Sequence, residues 1–496
     1  MTEPVRRRLD LLFFLALVAA FLGWTFLPGW KVDADSYYHL GLAQLYAENG
    51  WVRSFPWLDL TILGDTPFVD AHLLMHLALV PLAAWLPPVT AVQAGAFLSA
   101  TALWLSVYLV LRRNGVRWAG FFTLLGGLSS PIVLTVSGFL KGAGLFLVIL
   151  VWFLDALLAG AARRVLVLAW LSVYAYVGAP LLPAFAFLFL VTGRVFQGRW
   201  SFRPFLYACA GMLAGLLLNP FWPGQWTYLY RELGNAITRP DYLVPGVFFG
   251  SEWMTLTGRD FLRFAWAPLS AWLALLVAHL RRASAVPAPV AGGVVVTLAM
   301  LLAALLQAKF IFHFLVVSAV FLPLALPHVL PEDRRWRGVL AGLAVLAAAG
   351  ILAVSWHRER GPSEEPPAAF EAMGQWLQSR TAEGERVVAP WGDFPGLFLF
   401  DRHNRYVVGL NVNFLRWKDE AAFKAFYFLY NGQITDPELL LPMYFGDARY
   451  VLVRTRPRNN GERELAESLA RNPRFVEEPS PVGTWRLFHL APESGK

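Results

Sequence analysis

The chain has 496 residues, of which 57% are hydrophobic and 15% are charged, and its mean hydropathy is +0.49. A soluble globular protein carries about 25% charged residues, so this composition excludes one. The formal net charge of +8 predicts cytoplasmic loops rich in Lys and Arg rather than a nucleic-acid-binding surface. With Cys209 as its single cysteine, the chain has no internal disulfide.

Apolar runs close to the roughly 20 residues that cross a bilayer recur along residues 1–356. Basic clusters such as residues 6–8, 112–117 and 334–337 separate them. Placing every cluster in the cytoplasm predicts about 11 spanning helices and a C-terminus on the outer face. The spans at 165–178 and 180–193 are short and can also form one broken unit. The predicted spans lie near residues 10–28, 91–111, 118–136, 143–161, 165–178, 180–193, 205–219, 261–280, 288–307, 310–328 and 338–355.

Three regions fall on the outer face, namely loops 31–88 and 219–260 and everything beyond residue 356. Within the first loop, residues 67–86 are apolar but include Asp70, His72 and His76. We expect this segment to form a helix that lies along the membrane surface.

The Pro- and Glu-rich linker 361–367 marks the change to a soluble α/β domain of about 135 residues. Its predicted elements are strands at 386–389, 406–409 and 450–454 and helices at 370–377 and 462–471. The predicted fold class is therefore a polytopic α-helical membrane protein with a C-terminal soluble α/β domain. Residues 1–356 form the membrane domain, and residues 357–496 form the outer-face domain.

The segment from Asp33 to His39 directly follows the first span and combines two carboxylates with aromatic side chains. One interpretation is a helix cap beside an aromatic interface belt. The other is a carboxylate, held at the membrane boundary, that binds a divalent cation or takes a proton from an acceptor. In that case Tyr37, Tyr38 and His39 supply sugar or phosphate contacts.

Residues 35–40, Asp-Ser-Tyr-Tyr-His-Leu, resemble the first acidic motif of the oligosaccharyltransferase catalytic subunits, within the GT-C glycosyltransferase superfamily. Residues 136–142 are similar to the surroundings of the second acidic motif of that family, but Lys141 stands in the acidic place. The ammonium of Lys141 can replace a metal by neutralising a leaving phosphate, or it can be a cation that snorkels to the membrane surface.

Three later stretches resemble the same family in the same order. Glu252 falls where the family has an acceptor-contacting loop glutamate, and it can equally be an ordinary exposed residue. Lys309 stands where an arginine faces the donor phosphates, with His313 one helical turn further on. Trp391 and Asp393 match part of the family's WWDYG acceptor signature, and their alternative is a turn that packs the domain on the membrane part.

The resemblance implies an inverting transfer of a sugar or oligosaccharide from a polyprenyl-phosphate or pyrophosphate donor. Asp35 and Glu252 are then catalytic, and Trp391 and Asp393 bind the acceptor. The missing second acidic motif disfavours a tightly held Mg²⁺ or Mn²⁺ at Asp35 and favours a hydroxyl acceptor on a protein, lipid or glycan over asparagine. The implied location is the bacterial inner membrane with a periplasmic C-terminal domain. The predicted donor-phosphate residues are Lys309, His313, Lys141, Tyr37, Tyr38 and His39.

Two other functions stay open at this point. The first is a non-catalytic GT-C-fold scaffold or lipid-linked-glycan binding protein, which the missing acidic motif permits. The second is a transporter, which is expected to show inverted repeats and paired broken helices near the middle of the membrane. The sequence shows no repeat, and its candidate charges lie at the outer boundary.

Overall fold

The computed structural model describes residues 2–27, 32–65, 67–238, 255–282, 286–329, 334–359, 366–434, 436–456 and 460–492. Up to residue 359 these residues are mainly helical, and two short 3-10 turns, Pro56–Leu58 and Ile62–Gly64, lie in the first outer segment. The helices are α1 (Glu3–Phe26), α2 (Ala34–Asn49), α3 (Leu73–Trp85), α4 (Pro88–Arg113), α5 (Ala119–Gly127), α6 (Pro131–Ser137), α7 (Gly142–Leu158), α8 (Ala162–Ala175), α9 (Leu181–Gln197), α10 (Phe202–Leu217), α11 (Gly224–Thr238), α12 (Gly258–Arg282), α13 (Ala288–Leu306), α14 (Ile311–Val329) and α15 (Arg334–Glu359).

Each predicted span coincides with a helix, except that span 118–136 is the pair α5 and α6, bent by 89°. The broken unit proposed at 165–193 consists of two helices, α8 and α9. Among the described residues, five helices are long and apolar enough to cross a membrane, or six if the bent pair counts as one span. The mainly helical fold with candidate membrane spans is therefore confirmed, and the total of about 11 stays a prediction.

The helix α14 lies at the centre of the bundle, because 78% of its apolar window is buried by other helices. Small residues let its neighbours approach closely, as expected between membrane helices. A Cβ atom on Gly293 of α13 would lie 1.9 Å from the ring of Phe321 in α14, and one on Gly126 of α5 would lie 2.8 Å from Ala319. Both glycines therefore sit at helix contacts that no larger residue fits.

The C-terminal region forms a five-stranded sheet in the order β2-β1-β3-β5-β4. Strand β1 is parallel to β2 and β3, whereas β5 is antiparallel to β3 and β4. The strands are β1 (Arg386–Val388), β2 (Arg405–Tyr406), β3 (Tyr450–Arg454), β4 (Phe475–Glu478) and β5 (Trp485–Leu490); the helices are α16 (Pro367–Arg380), α17 (Phe394–Phe400), α18 (Asn413–Arg416), α19 (Glu420–Tyr430), α20 (Pro437–Phe445) and α21 (Asn460–Arg471).

The predicted strands at 386–389 and 450–454 and the two predicted helices of this region are confirmed, whereas the strand predicted at 406–409 is limited to Arg405–Tyr406. Strands β4 and β5 were not predicted. Both carry charged residues on their outer faces, Glu477 and Arg486 among them, which form an ion pair across the strands. Strands β1 and β3 are recognised by their uninterrupted apolar residues. In β4 and β5 the charged residues interrupt such a run.

The first outer segment packs into the core of the C-terminal domain. The rings of Tyr38 and Phe55 lie 6.1 Å and 5.1 Å from that of Phe398, and Arg386 and Arg405 both bind the carboxylate of Asp59. The predicted helix at 67–86 is confirmed as α3, although its orientation to a bilayer stays a prediction. The domain boundary between residues 356 and 357 also stays a prediction. Residues of loop 31–88 pack against the C-terminal domain.

Candidate functional site

The start of α2 is held against the loop between α6 and α7. The hydroxyl Oγ of Ser36 accepts a hydrogen bond from the backbone N–H of Leu140 at 3.1 Å and donates to the Leu140 carbonyl at 3.4 Å. Asp33 is the N-cap residue of α2 and Asp35 lies in its first turn, where the helix dipole favours carboxylates. This contact therefore brings Lys141 opposite the acidic motif.

Lys141 lies between the two carboxylates of that motif. Its Nζ is 3.3 Å from Oδ2 of Asp33 and 3.4 Å from Oδ2 of Asp35. The Asp35 side chain remains 43% exposed, so it can contact a further molecule. Lys141 stands where the resembled family has an acidic residue. In the structure its ammonium faces the carboxylates of the first acidic motif.

This donor set does not fit a divalent metal. A metal at Asp35 needs further anionic or neutral ligands, and the group that faces Asp35 is an ammonium. In the part of the chain that the structure describes, no group of three or more His, Cys, Asp or Glu residues is arranged to hold a metal ion. The positive charge beside Asp35 is supplied by Lys141.

A row of buried ionisable side chains lies directly behind this pair. Nδ1 of His39 is 2.8 Å from Nε2 of His76, and Nδ1 of His76 is 2.7 Å from Oδ2 of Asp70. Asp70 also accepts hydrogen bonds from the Tyr46 hydroxyl at 2.9 Å and from the His72 backbone N–H at 2.8 Å. His39 belongs to α2, one turn after Asp35, so the row adjoins the acidic motif.

The protonation of this row follows from its burial and its partners. Burial, with smaller contributions from His76, His72 and Lys141, lowers the pKa of His39 well below its ordinary value. Burial also lowers the pKa of His72 to about 4, against the opposing effect of Asp70. Burial alone would raise the pKa of Asp70, but the charge and hydrogen bond of His76 outweigh it and hold the pKa below its ordinary value.

Of these residues, only His39 was a predicted site residue. Asp70, His72 and His76 had no predicted role at the site. The sequence does contain a signal for them, because these three ionisable residues interrupt an otherwise apolar segment next to a membrane. Ionisable residues in such a segment are functional candidates by default. What the sequence could not supply was the contact between α2 and α3.

Aromatic rings connect the acidic motif with the beginning of α14. The ring of His72 stacks on Tyr176 at 5.5 Å, and Tyr176 lies 5.5 Å from Phe146. The ring of Phe146 is 6.0 Å from that of His313. Lys309 completes the series, since its Nζ is 5.3 Å from the ring of Phe310, which itself contacts His313.

The structure thus brings together residues from the ends of α2, α7, α8 and α14. The basic clusters of the sequence predict that all four of these ends lie on the outer face. His313 is buried; its Nδ1 lies 3.3 Å from the Lys309 carbonyl oxygen, and its Nε2 makes no hydrogen bond within the described residues. Lys309 and His313 are thus connected with His72, and through it with the histidine row beside Asp35, by a series of aromatic contacts.

Two of the predicted phosphate-binding residues are placed elsewhere. The ring of Tyr37 lies 5.6 Å from Phe370 of the C-terminal domain, and Tyr38 packs on Phe398. Both tyrosines are buried, and burial raises the pKa of each hydroxyl. They join the outer segment to the C-terminal domain, and the packing does not support phosphate binding by them.

The predicted acceptor residue Asp393 is fully buried and has a partner on each oxygen. Oδ1 forms an ion pair with Arg454, and Oδ2 accepts a hydrogen bond from Nε1 of Trp485 at 2.9 Å. In this position it cannot reach an acceptor without breaking the pair. Both partners belong to its own domain, so these contacts stabilise that domain rather than its packing on the membrane part. Trp391 is partly buried against the core of the same domain, and its acceptor role stays a prediction. Glu252 lies outside the described residues.

The order of the helices and the C-terminal α/β domain form a fold that this chain shares with solved structures of an oligosaccharyltransferase, an arabinofuranosyltransferase and ArnT. In all, 21 chains of solved structures match this chain. The oligosaccharyltransferase of Archaeoglobus fulgidus in its apo form aligns with a TM-score of 0.64 and 12% identity, covering 90% of this chain and 69% of that one.

Two further solved structures come from different glycosyltransferases. ArnT from Cupriavidus metallidurans aligns with a TM-score of 0.59 and 12% identity over 96% of this chain and 97% of that one, both in the apo state and bound to undecaprenyl phosphate. The arabinofuranosyltransferase AftD from mycobacteria has a TM-score of 0.58 and 15% identity over 98% of this chain but only 42% of its own. No protein-family model matches the sequence, and no curated protein matches it.

Proposed function

We propose that this protein transfers a sugar or oligosaccharide from a polyprenyl-phosphate or pyrophosphate donor to a hydroxyl acceptor at the outer face of the bacterial inner membrane. The observation that carries this proposal is the pairing of Asp35 with Lys141, beside a buried histidine row that aromatic contacts connect with Lys309 and His313. In support, ArnT, which has the same fold, was crystallised with undecaprenyl phosphate, and the oligosaccharyltransferase was crystallised with a tethered acceptor peptide.

Lys309 and His313 supply the donor side of the site. Lys309 lies in a short 3-10 turn, Ala308–Phe310, that opens α14, so its ammonium stands where the positive end of a helix dipole already favours phosphate. When Nδ1 of His313 donates to the Lys309 carbonyl, its Nε2 is left as a buried acceptor, which a sugar hydroxyl reaches only if the surrounding side chains move. Lys141 provides a second positive charge toward the leaving phosphate.

Asp35 binds and activates the acceptor hydroxyl. The hydroxyl oxygen attacks the anomeric carbon while the bond from that carbon to the phosphate oxygen breaks. The hydroxyl proton passes to a base at the site, and the polyprenyl phosphate or pyrophosphate leaves with the bonding electrons. A single displacement of this kind inverts the anomeric configuration. Because Lys141 already supplies a charge at this place, the proposed reaction runs without Mg²⁺ or Mn²⁺.

The fold and the missing second acidic residue also fit a second candidate, a non-catalytic protein that binds lipid-linked glycans. Both candidates bind the donor, and only the enzyme releases a polyprenyl phosphate and forms a new glycoside. Binding of a labelled lipid donor without transfer to any component of a membrane extract would therefore favour this second candidate.

The test is transfer of a labelled sugar from a polyprenyl-phosphate donor by the full chain in proteoliposomes. We expect Asp35→Asn to lower the rate about 100-fold or more, the usual effect of losing a group that activates a nucleophile. The matched control is Asp33→Asn, which removes the other carboxylate on Lys141 and should change the rate much less. Equal rates for wild type and Asp35→Asn would overturn the catalytic role of Asp35.

A further inference from the structure

The row His39–His76–Asp70 has no role in the function proposed above, although all three side chains are buried. It is assembled from two segments far apart in sequence, since His39 lies in α2 and His76 in α3. One end is a carboxylate with three donors, and the other end adjoins Asp35. Such a row can merely hold two helices together, or it can carry protons.

The hydrogen bonds determine where the protons of the row lie. Asp70 is an anion that accepts bonds from Tyr46, from the His72 backbone and from His76, so His76 must donate from Nδ1. In the resting state of this proposal His76 carries only its Nδ1 proton, so its Nε2 is an acceptor. It faces Nδ1 of His39 at 2.8 Å, and Nδ1 of His39 then carries the proton of that bond. The remaining nitrogen of His39, Nε2, is therefore unprotonated.

This free nitrogen lies on the side of the acidic motif. Asp35 precedes His39 by four residues in α2, so both side chains emerge from one face of the helix about 6 Å apart along its axis. No hydrogen bond to Nε2 of His39 is formed by the residues that the structure describes, and His39 keeps 5% of its surface exposed. A hydroxyl held by Asp35 would therefore approach a neutral imidazole nitrogen.

We propose that His39 is a further catalytic residue that receives the proton of the acceptor hydroxyl at Nε2. As the new bond from Nε2 to hydrogen forms, His39 passes its Nδ1 proton to Nε2 of His76. The positive charge then rests on His76, whose Nδ1–H remains bonded to the Asp70 carboxylate. This inference rests on the proposed glycosyl transfer and specifies where its proton goes.

The surrounding charges favour this displacement of the proton from one ring to the next. A positive charge on His39 is opposed by burial and by Lys141, which lower its pKa, whereas the same charge on His76 is adjacent to Asp70 at 2.7 Å. Asp70 acts through His76 and is a positioning residue. The ionisable groups that face the row are Asp35, Tyr38 and Tyr46 on α2, His72 on α3, Lys141 before α7, Tyr176 after α8 and Tyr228 on α11.

The decisive variant is Asp70→Asn in the full chain. An asparagine amide can donate to Nδ1 of His76, which reverses the direction of every bond in the row and leaves a proton on Nε2 of His39. We expect kcat to fall about 100-fold or more, with the KM values for donor and acceptor changed less than about threefold. The matched control Tyr46→Phe removes a hydrogen bond to the same carboxylate oxygen and should lower kcat less than about tenfold.

A second readout does not depend on activity. In protein labelled with [15N]histidine and held in nanodiscs, we expect the wild-type His39 resonances to show a protonated Nδ1 and an unprotonated Nε2, and Asp70→Asn to exchange them. If Asp70→Asn gives too little folded protein, His39→Gln serves instead, because glutamine can still donate to His76 but has no basic nitrogen. It should show the same loss of kcat.

The outcomes distinguish failure of the proposed proton transfer along the row His39–His76–Asp70, called the relay below, from failure of the proposed glycosyl transfer. Full activity of Asp70→Asn or His39→Gln, or a protonated Nε2 on His39 in the wild type, overturns the relay and leaves the proposed function standing. A wild type that shows no transfer from any donor overturns the proposed function and with it the catalytic role of His39. Lower thermal stability of Asp70→Asn with unchanged kcat identifies the row as structural.

Discussion

The Nζ atom of Lys141 lies 3.4 Å from the carboxylate of Asp35 and on the same side as His39, whose pKa it helps to lower. An amine thus occupies the place where the family resemblance expects an acidic metal ligand. Its charge is permanent and is bound to the chain, so Asp35 is oriented without an exchangeable ion. Three of the predictions below follow from the surroundings of this pair.

The first prediction concerns the charge of Lys141. The variant Lys141→Met keeps the length of the side chain but leaves two neighbouring carboxylates without their cation, so we expect transfer to fall at least about tenfold. Wild-type transfer should be unaffected by EDTA. Rates are measured in proteoliposomes, with Lys424→Met as a control for loss of an exposed ammonium. Inhibition by EDTA that added Mg²⁺ reverses would contradict this prediction.

The second prediction concerns the donor side. Removing the ammonium in Lys309→Ala should raise the KM for the polyprenyl-phosphate donor about tenfold, the effect of losing one charge-assisted contact of roughly 1.4 kcal/mol. Lys309→Arg should stay near wild type, because a guanidinium binds phosphate at least as well. Steady-state kinetics with varied donor provide the measurement. A changed KM for the acceptor with an unchanged KM for the donor would contradict donor binding by Lys309.

The third prediction tests the close contact between α7 and His72. A Cβ atom on Gly142 would lie 2.4 Å from Nδ1 of His72, so Gly142→Ala must displace the ring from its stack on Tyr176. We expect a loss of about 1–3 kcal/mol in stability, typical of overpacking, and reduced transfer. Gly350→Ala is the control, because its Cβ meets nothing within 4 Å and alanine favours a helix. Similar melting temperatures for the two variants would contradict the contact.

The fourth prediction separates a structural from an acceptor-binding role for Asp393. Replacing it by alanine leaves the buried Arg454 without its anion, which costs about 3–5 kcal/mol for pairs of this kind. The acceptor KM of the protein that remains folded should not change. Glu477→Ala breaks an exposed ion pair with Arg486 and should cost less than about 1 kcal/mol. A stable Asp393→Ala variant with a raised acceptor KM would restore the acceptor-binding role.

The fifth prediction is a pH dependence of stability with a defined sign. The pKa of His72 is lowered to about 4 by burial, and that of His39 is also lowered, whereas both are near 6.5 in the unfolded chain. The unfolded state therefore binds more protons between these values, so stability is full above about pH 6.5 and falls as the pH drops towards 4. Thermal unfolding in nanodiscs between pH 7.5 and 4.5 measures this decline. The decline should be smaller in His72→Gln, and a constant midpoint in the wild type would refute the assignment.

The sequence by itself determined the helices of the membrane region and much of the secondary structure beyond residue 366. Apolar length, turn residues and basic clusters are local signals, so spans such as 91–111 and 288–307 coincide with α4 and α13. The same signals predicted Asp35, Lys141 and Lys309 at helix ends on one side of the membrane, and the structure brings Asp35 and Lys141 into contact. Strand β5 was not predicted, because Arg486 and His489 interrupt its apolar residues.

Only the tertiary structure decided which of the singled-out residues share a function. Asp393 and Lys141 are similar in the sequence, each a charged residue in a motif-like stretch, yet one is sealed by Arg454 while the other faces Asp35 and solvent. The bond between His39 and His76 joins side chains 37 positions apart and exists only because α3 packs on α2. Burial and hydrogen-bond direction depend on such long-range packing. They decide whether a histidine nitrogen is available to accept a proton.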